Sequence, residues 1–153
     1  MTYTEYRTNW QREFDSLPIF FAFSDSQFEA CLKERGLTLN DLDKICKVAG
    51  GFALKTDIPV IREFVEKPDP LADLMNDPTF AEDAFYYEMC NHEYGINMQG
   101  AWDVCSCFGD CKYVDGKTGP MYLAEMGYGP DVCDAYRRAK VRYFKDAEEH
   151  EWF

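Results

Sequence analysis

From Thr79 to Tyr94 the chain reads TFAEDAFYYEMCNHEY. On a helical wheel Phe80, Ala81, Ala84, Phe85, Tyr87, Met89 and Cys90 cover most of the circumference. A helix that is apolar most of the way round has no face to give to water, so it belongs at the centre of a domain with other elements around it. Asp77-Pro78 just before it is a start signal, since proline suits the first helical turn.

The flanking segments supply those other elements. Tyr6, Trp10 and Phe14 recur every four residues in Thr2–Asp15 and form one helical stripe, which Pro18 ends. Ser24 opens a second helix, with Gln27 at the capping-box position, Phe28, Cys31 and Leu32 on its inner face, and Gly36 as its stop. Thr38 or Asn40 starts a third, with Leu42, Ile45 and Cys46 inward, broken by Gly50-Gly51. Asp57 and Pro59 open a fourth, carrying Val60, Ile61, Phe64 and Val65. Residues 95–120, rich in glycine, read as the least regular part, with a hairpin signal at Asp115-Gly116. The last helix runs from about Pro130 to Glu148, with Val132, Tyr136, Ala139 and Tyr143 as its inward stripe. Two short apolar runs, Ile19–Phe23 and Phe52–Leu54, read as strands that pair into a small ribbon, which needs helices packed on it to persist. The expected fold is therefore α+β and predominantly helical. About five to six helices pack around a small two-stranded antiparallel ribbon. With 153 residues, no repeat and no low-complexity linker, the whole chain 1–153 reads as a single domain.

Charge narrows the function. The formal net charge is −12, and residues 57–100 hold ten carboxylates against two cations, Arg62 and Lys67. Such a surface is unsuited to phosphate backbones and to anionic membranes. No stretch has the roughly 20 apolar residues of a membrane span. The segment TYTEYRTNWQREF has no apolar run of the signal-peptide kind. A cytoplasmic setting is expected, and the seven cysteines, an odd number, are expected to be mostly free thiols there. A protein partner with a basic surface is the class the charge favours. Glu63, Glu66, Asp69, Asp73, Asp77, Glu82, Asp83 and Glu88 are the candidate contacts.

The chain carries no P-loop, dinucleotide glycine pattern, G-x-S-x-G elbow or H-E-x-x-H, and only two histidines. No motif calls for a cofactor, and the expectation is a non-enzymatic protein. One constellation points elsewhere. Cys90, His92, Cys105, Cys107 and Cys111 are soft and borderline donors of the kind zinc takes, although C-x-C is an unusual ligand spacing. Glu88 and His92, four apart, share a helix face and could act as an acid–base pair or as two metal ligands. A small metal-binding or thiol-dependent protein is thus the alternative reading.

Three stretches add a resemblance. LPIFFAFSDSQFEACLKERGL (Leu17–Leu37), GGFALKTD (Gly50–Asp57) and FYYEMCNHEY (Phe85–Tyr94) resemble a family of small uncharacterised proteins from gut bacteria and their phages. The similarity covers roughly the first two thirds of the chain, including Asn91, His92, Glu93 and Tyr94, and the cysteine cluster after Gly95 departs from it. The resemblance carries no catalytic residue. What it implies is a phage or mobile-element setting, in which an acidic domain would block a basic nucleic-acid-handling partner.

Overall fold

The computed structural model describes residues 1–153, and ten helical or extended elements lie along them, joined by turns and short 3-10 segments. The chain forms two compact units, Asn9–Pro68 and a larger one made of Met1–Thr8 with Asp69–Phe153. Helix α1 (Tyr3–Asp15) begins in the larger unit and ends in the smaller.

The larger unit is built on the apolar segment identified above, here helix α5 (Pro78–Asn91). Asp77 caps it, its Oδ1 accepting the Thr79 N–H at 2.9 Å, and Pro78 fills the first turn. Its inner residues Phe80, Ala81, Ala84, Phe85, Glu88 and Met89 are buried. The long C-terminal helix α8 (Pro130–Glu149) lies against it, burying Val132, Cys133, Ala135, Tyr136, Ala139, Tyr143 and Ala147 at spacings of three and four. Alanines on both helices keep the contact close, and the Phe85 and Tyr136 rings meet edge-on, centroids 5.3 Å apart. Helix α5 ends in a reversal. Glu93 takes a left-handed conformation (φ 51°), and the Tyr94 N–H returns to the Met89 carbonyl at 3.0 Å. This leaves His92 as the cap just past the last helical residue, Asn91, and turns Tyr94 toward Tyr136, whose hydroxyl meets its own at 2.9 Å.

Short helices α4 (Leu71–Leu74), α6 (Gly100–Ser106) and α7 (Gly119–Glu125) complete this unit. They are the reason the structure has eight helices rather than five to six. One of them, α6, lies within residues 95–120, and α7 starts at the end of that stretch, where frequent glycines masked short helical turns. Asp115-Gly116 is a turn, with Gly116 at φ 77°, but no strands flank it, so the hairpin signal there is corrected. Gly119 is buried at the start of α7, and a side chain there would collide with the Tyr136 ring.

In the smaller unit, β1 (Ile45–Val48) and β2 (Gly51–Leu54) form an antiparallel hairpin, with Cys46 opposite Ala53 and Lys47 opposite Phe52. Ala49 and Gly50 join them with φ of 49° and 79°, the doubly left-handed turn that matches strand twist. The two-stranded ribbon exists, but the strand that pairs with Phe52–Leu54 is Ile45–Val48, not Ile19–Phe23. Phe20 contributes a single bridge to Phe52, with both N–H···O distances 2.8 Å. The expected third helix shrinks to a 3-10 segment, Leu39–Lys44, capped reciprocally by Thr38 and Asp41. Ile45 and Cys46, read by spacing as helical, are extended because the turn at Ala49-Gly50 gives them a strand to pair with. Helix α2 (Asp25–Glu34) starts at Ser24, whose Oγ accepts the Gln27 N–H, and buries Leu32. Helix α3 (Ile58–Glu66) brings Phe64 to the stacked pair Trp10 and Phe14.

Candidate metal centre

Glu88 is the one buried charged residue of the chain, 1 % exposed on the inner face of α5. A buried carboxylate is tolerated only where hydrogen bonds or opposite charge replace water. Glu88 has both, and its two oxygens are used differently. Oε1 accepts the Tyr3 hydroxyl at 2.7 Å and Nη1 of Arg7 at 3.2 Å. Tyr3 and Arg7 stand one turn apart on α1. Thr2 and Glu5 fix the start of that helix by bonding each other's backbone N–H, and the Tyr3 N–H donates to Asp83. The Arg7 guanidinium also lies over the Tyr87 ring, 5.0 Å from its centroid.

Oε2 of Glu88 faces a different group. Nε2 of His92, one turn on along α5, is 3.3 Å away, and Nδ2 of Asn91 donates to it at 3.2 Å. Sγ of Cys107, at the end of α6, is 3.5 Å from Oε2 and 3.6 Å from His92 Nε2. The thiol also reaches the Asp103 carbonyl at 3.3 Å. Glu88, His92 and Cys107 therefore offer one oxygen, one nitrogen and one sulfur to a single small volume.

Two chemical arrangements use these residue types, and the geometry separates them. In a nucleophilic relay the imidazole bridges thiol and carboxylate through its two different nitrogens. Here both Cys107 and Glu88 approach the same nitrogen, Nε2, which cannot take a proton from one while donating to the other. Burial, and next the neighbouring Glu88 carboxylate, also push the Cys107 thiol up to about 12, the reverse of an activated nucleophile. Convergence on one point is what a cation demands. With zinc bond lengths of about 2.3 Å to sulfur, 2.05 Å to nitrogen and 2.0 Å to oxygen, a tetrahedral ion spaces its ligands about 3.6 Å (S–N), 3.5 Å (S–O) and 3.3 Å (N–O) apart. The corresponding separations are 3.6, 3.5 and 3.3 Å. The donor set fits zinc in both chemistry and spacing, and Tyr3 and Arg7 on Oε1 leave Oε2 as the single ligand atom of Glu88.

Of the five metal candidates in the sequence, the fold brings together His92 and Cys107. Cys90 lies two residues from Glu88, on an exposed part of α5 near Tyr86 and Arg142. Cys105 is buried, its Sγ directed to the Gly119 carbonyl at 3.6 Å. The Cys111 carbonyl accepts the Trp102 indole N–H at 2.9 Å. Burial raises the thiol pKa of all three, and none joins the cluster. All seven cysteines are free.

The acidic candidates also separate. Glu88 is buried in the cluster. Asp83 accepts the Tyr3 N–H, and Asp69 accepts the Tyr6 hydroxyl at 2.7 Å. Asp77 caps α5, and Glu82 pairs with Arg138 at 2.7 Å. Glu63, Glu66 and Asp73 are exposed, and their carboxylates have no ion-pair partner. Tyr3 and Arg7 were not legible as site residues, because the contact joins positions more than 80 apart.

No helix is long and apolar enough to cross a membrane. No curated protein and no solved structure matches the chain. Residues 2–109 match a family of unknown function, DUF7659, in a span that runs past Gly95 and holds every residue of the cluster from Tyr3 to Cys107, and the chain belongs to that family.

Proposed function

We propose that this protein binds one divalent transition-metal ion, zinc by its donor set, through Glu88 Oε2, His92 Nε2 and Cys107 Sγ. The observation that carries the reading is the match between the three donor separations and the edges of a tetrahedral zinc site. Asn91, Tyr3 and Arg7 are the supporting shell that holds Glu88 in place. Three protein ligands leave one position for water or another ligand, the arrangement of reactive rather than purely structural zinc. When bound, the ion would lower the pKa of a water in that position and polarise an oxygen that replaces it. A reducing, cytoplasmic setting suits the reading, because Cys107 must remain a free thiol to ligate.

The test is metal content. Untagged protein, purified without chelator and dialysed against zinc, is analysed by elemental mass spectrometry beside Cys107→Ser and His92→Ala. One zinc per wild-type chain and a stoichiometric loss in both variants support the reading. Wild-type protein that retains no more zinc than the variants overturns it.

A second reading keeps the acidic surface as a docking face for a basic protein partner, an inhibitor of nucleic-acid handling in its sharpest form. Its support is the net charge of −12 and the exposed, unpaired Glu63, Glu66 and Asp73. Charge reversal at those three positions separates it from the metal reading, since it would abolish partner capture and leave zinc content unchanged.

A further inference from the structure

Arg7 is placed to do more than neutralise Glu88. Its Nη1 meets Glu88 Oε1 at 3.2 Å, and no other carboxylate or carbonyl accepts from the guanidinium. The side chain is 46 % exposed, and Tyr87 holds its position from one face. A guanidinium has five N–H donors in a fixed fork, so most of the fork is unused. Arg7 and the three-donor cluster flank opposite oxygens of one carboxylate, Arg7 at Oε1 and His92 and Cys107 at Oε2.

Charge points the same way. A dication held in the cluster would be neutralised by the Glu88 carboxylate and a Cys107 thiolate, and Arg7 would then add a positive charge at its edge. Asp103, the other carboxylate beside Cys107, is turned to Asn97, whose Nδ2 donates to it at 2.7 Å. No fourth His, Cys, Asp or Glu completes the set.

Resting on the metal reading above, we infer that the fourth coordination position takes an oxyanion, a carboxylate or a phosphate. One oxygen would sit on the metal and a second on the free N–H groups of Arg7. The residue is then a specificity determinant: it selects ligands with two oxygens on one centre over water or a halide.

The test uses cobalt(II) in place of zinc, because its visible bands report coordination. Cobalt-loaded full-length protein is titrated separately with inorganic phosphate, acetate and chloride, beside Arg7→Lys and Arg7→Gln. Circular dichroism checks the fold, and Arg7→Lys keeps the ion pair with Glu88 if Arg7→Gln proves unstable. The expected result is a saturable band shift with phosphate or with acetate but not with chloride, weakened about tenfold in Arg7→Lys, the loss of one charge-assisted hydrogen bond. A response to phosphate alone identifies a phosphorylated ligand class, and a response to acetate alone a carboxylate class. If cobalt binds but neither oxyanion moves the spectrum, or Arg7→Lys titrates like wild type, the inference is overturned and the metal site stands. If cobalt does not bind, both fall together.

Discussion

The Tyr3 hydroxyl donates to Oε1 of Glu88 at 2.7 Å, joining the first turn of the chain to the inner face of its central helix across 85 positions of sequence. The contact ties folding to the candidate site. Burial, and next the Glu88 hydrogen bond, hold the phenol above its ordinary range, so it remains a donor at any physiological pH. Tyr3→Phe keeps the ring and removes only that donor. The buried Oε1 is then left to Arg7 alone, and a loss of about 1–3 kcal/mol in urea-melt stability is expected. Zinc affinity, read by chelator competition, is expected to fall about tenfold or more because Glu88 loses part of its orientation. Unchanged values for both would mean that Tyr3 only fills space.

Proton release accompanies metal binding on this account. The Cys107 thiol sits at about 12 without metal and must ionise to ligate. Adding zinc at pH 8 is expected to release a proton from Cys107, measured with an indicator in weak buffer, and Cys107→Ser abolishes that part of the release. Affinity rises with pH through the same range.

The same shift has a consequence for stability. The folded thiol lies above its ordinary 9.0, so its contribution is fully present below pH 9 and is lost as pH climbs toward 12. Tyr3, Tyr136 and Cys105 are raised too, chiefly by burial, and add to the alkaline loss. The metal-free protein should therefore melt at progressively lower temperature above pH 9. The slope should be shallower in Cys107→Ser, and scanning calorimetry from pH 8 to 11 decides the point.

Glu93 closes α5 in a left-handed conformation that costs little only for glycine. Its side chain is exposed and has no ion-pair partner. Glu93→Gly is expected to stabilise the chain by about 0.5–1 kcal/mol, or at worst to be neutral, in chemical denaturation. A marked loss would show that the carboxylate has a role beyond the turn.

Gly119 poses the opposite case. A methyl group there meets the Tyr136 ring, which is fixed by Phe85 and by its hydrogen bond to Tyr94. Gly119→Ala should cost about 1–3 kcal/mol through forced repacking of α7 on α8. A change below a few tenths would mean that the ring moves aside freely.

What the sequence disclosed follows the range of each interaction. Helices α5 and α8 were legible because a 3.6-residue period and local caps define them without tertiary help. The ribbon was half legible. Phe52–Leu54 alternates as a strand should, but Ile45 and Cys46 follow a helix-like spacing, and only the Ala49-Gly50 turn decides their pairing. Short helices such as α6 and α7 lack room for a periodic signal. The site was legible in pieces: Glu88 and His92 by their four-residue spacing, and Cys107 by its donor chemistry. Their meeting, and the support from Tyr3 and Arg7, depend on how α1 and α6 pack on α5, which no local pattern records. Glu88 also carried a misleading cue, since it stands among carboxylates that face solvent.

The central claim, a metal held by one oxygen, one nitrogen and one sulfur, is tested most directly by X-ray absorption at the zinc edge of the reconstituted protein. The account predicts a single sulfur at about 2.3 Å and two or three nitrogen or oxygen neighbours at about 2.0–2.1 Å, with the sulfur lost in Cys107→Ser. A shell without sulfur, or one with two or more sulfurs, would contradict it.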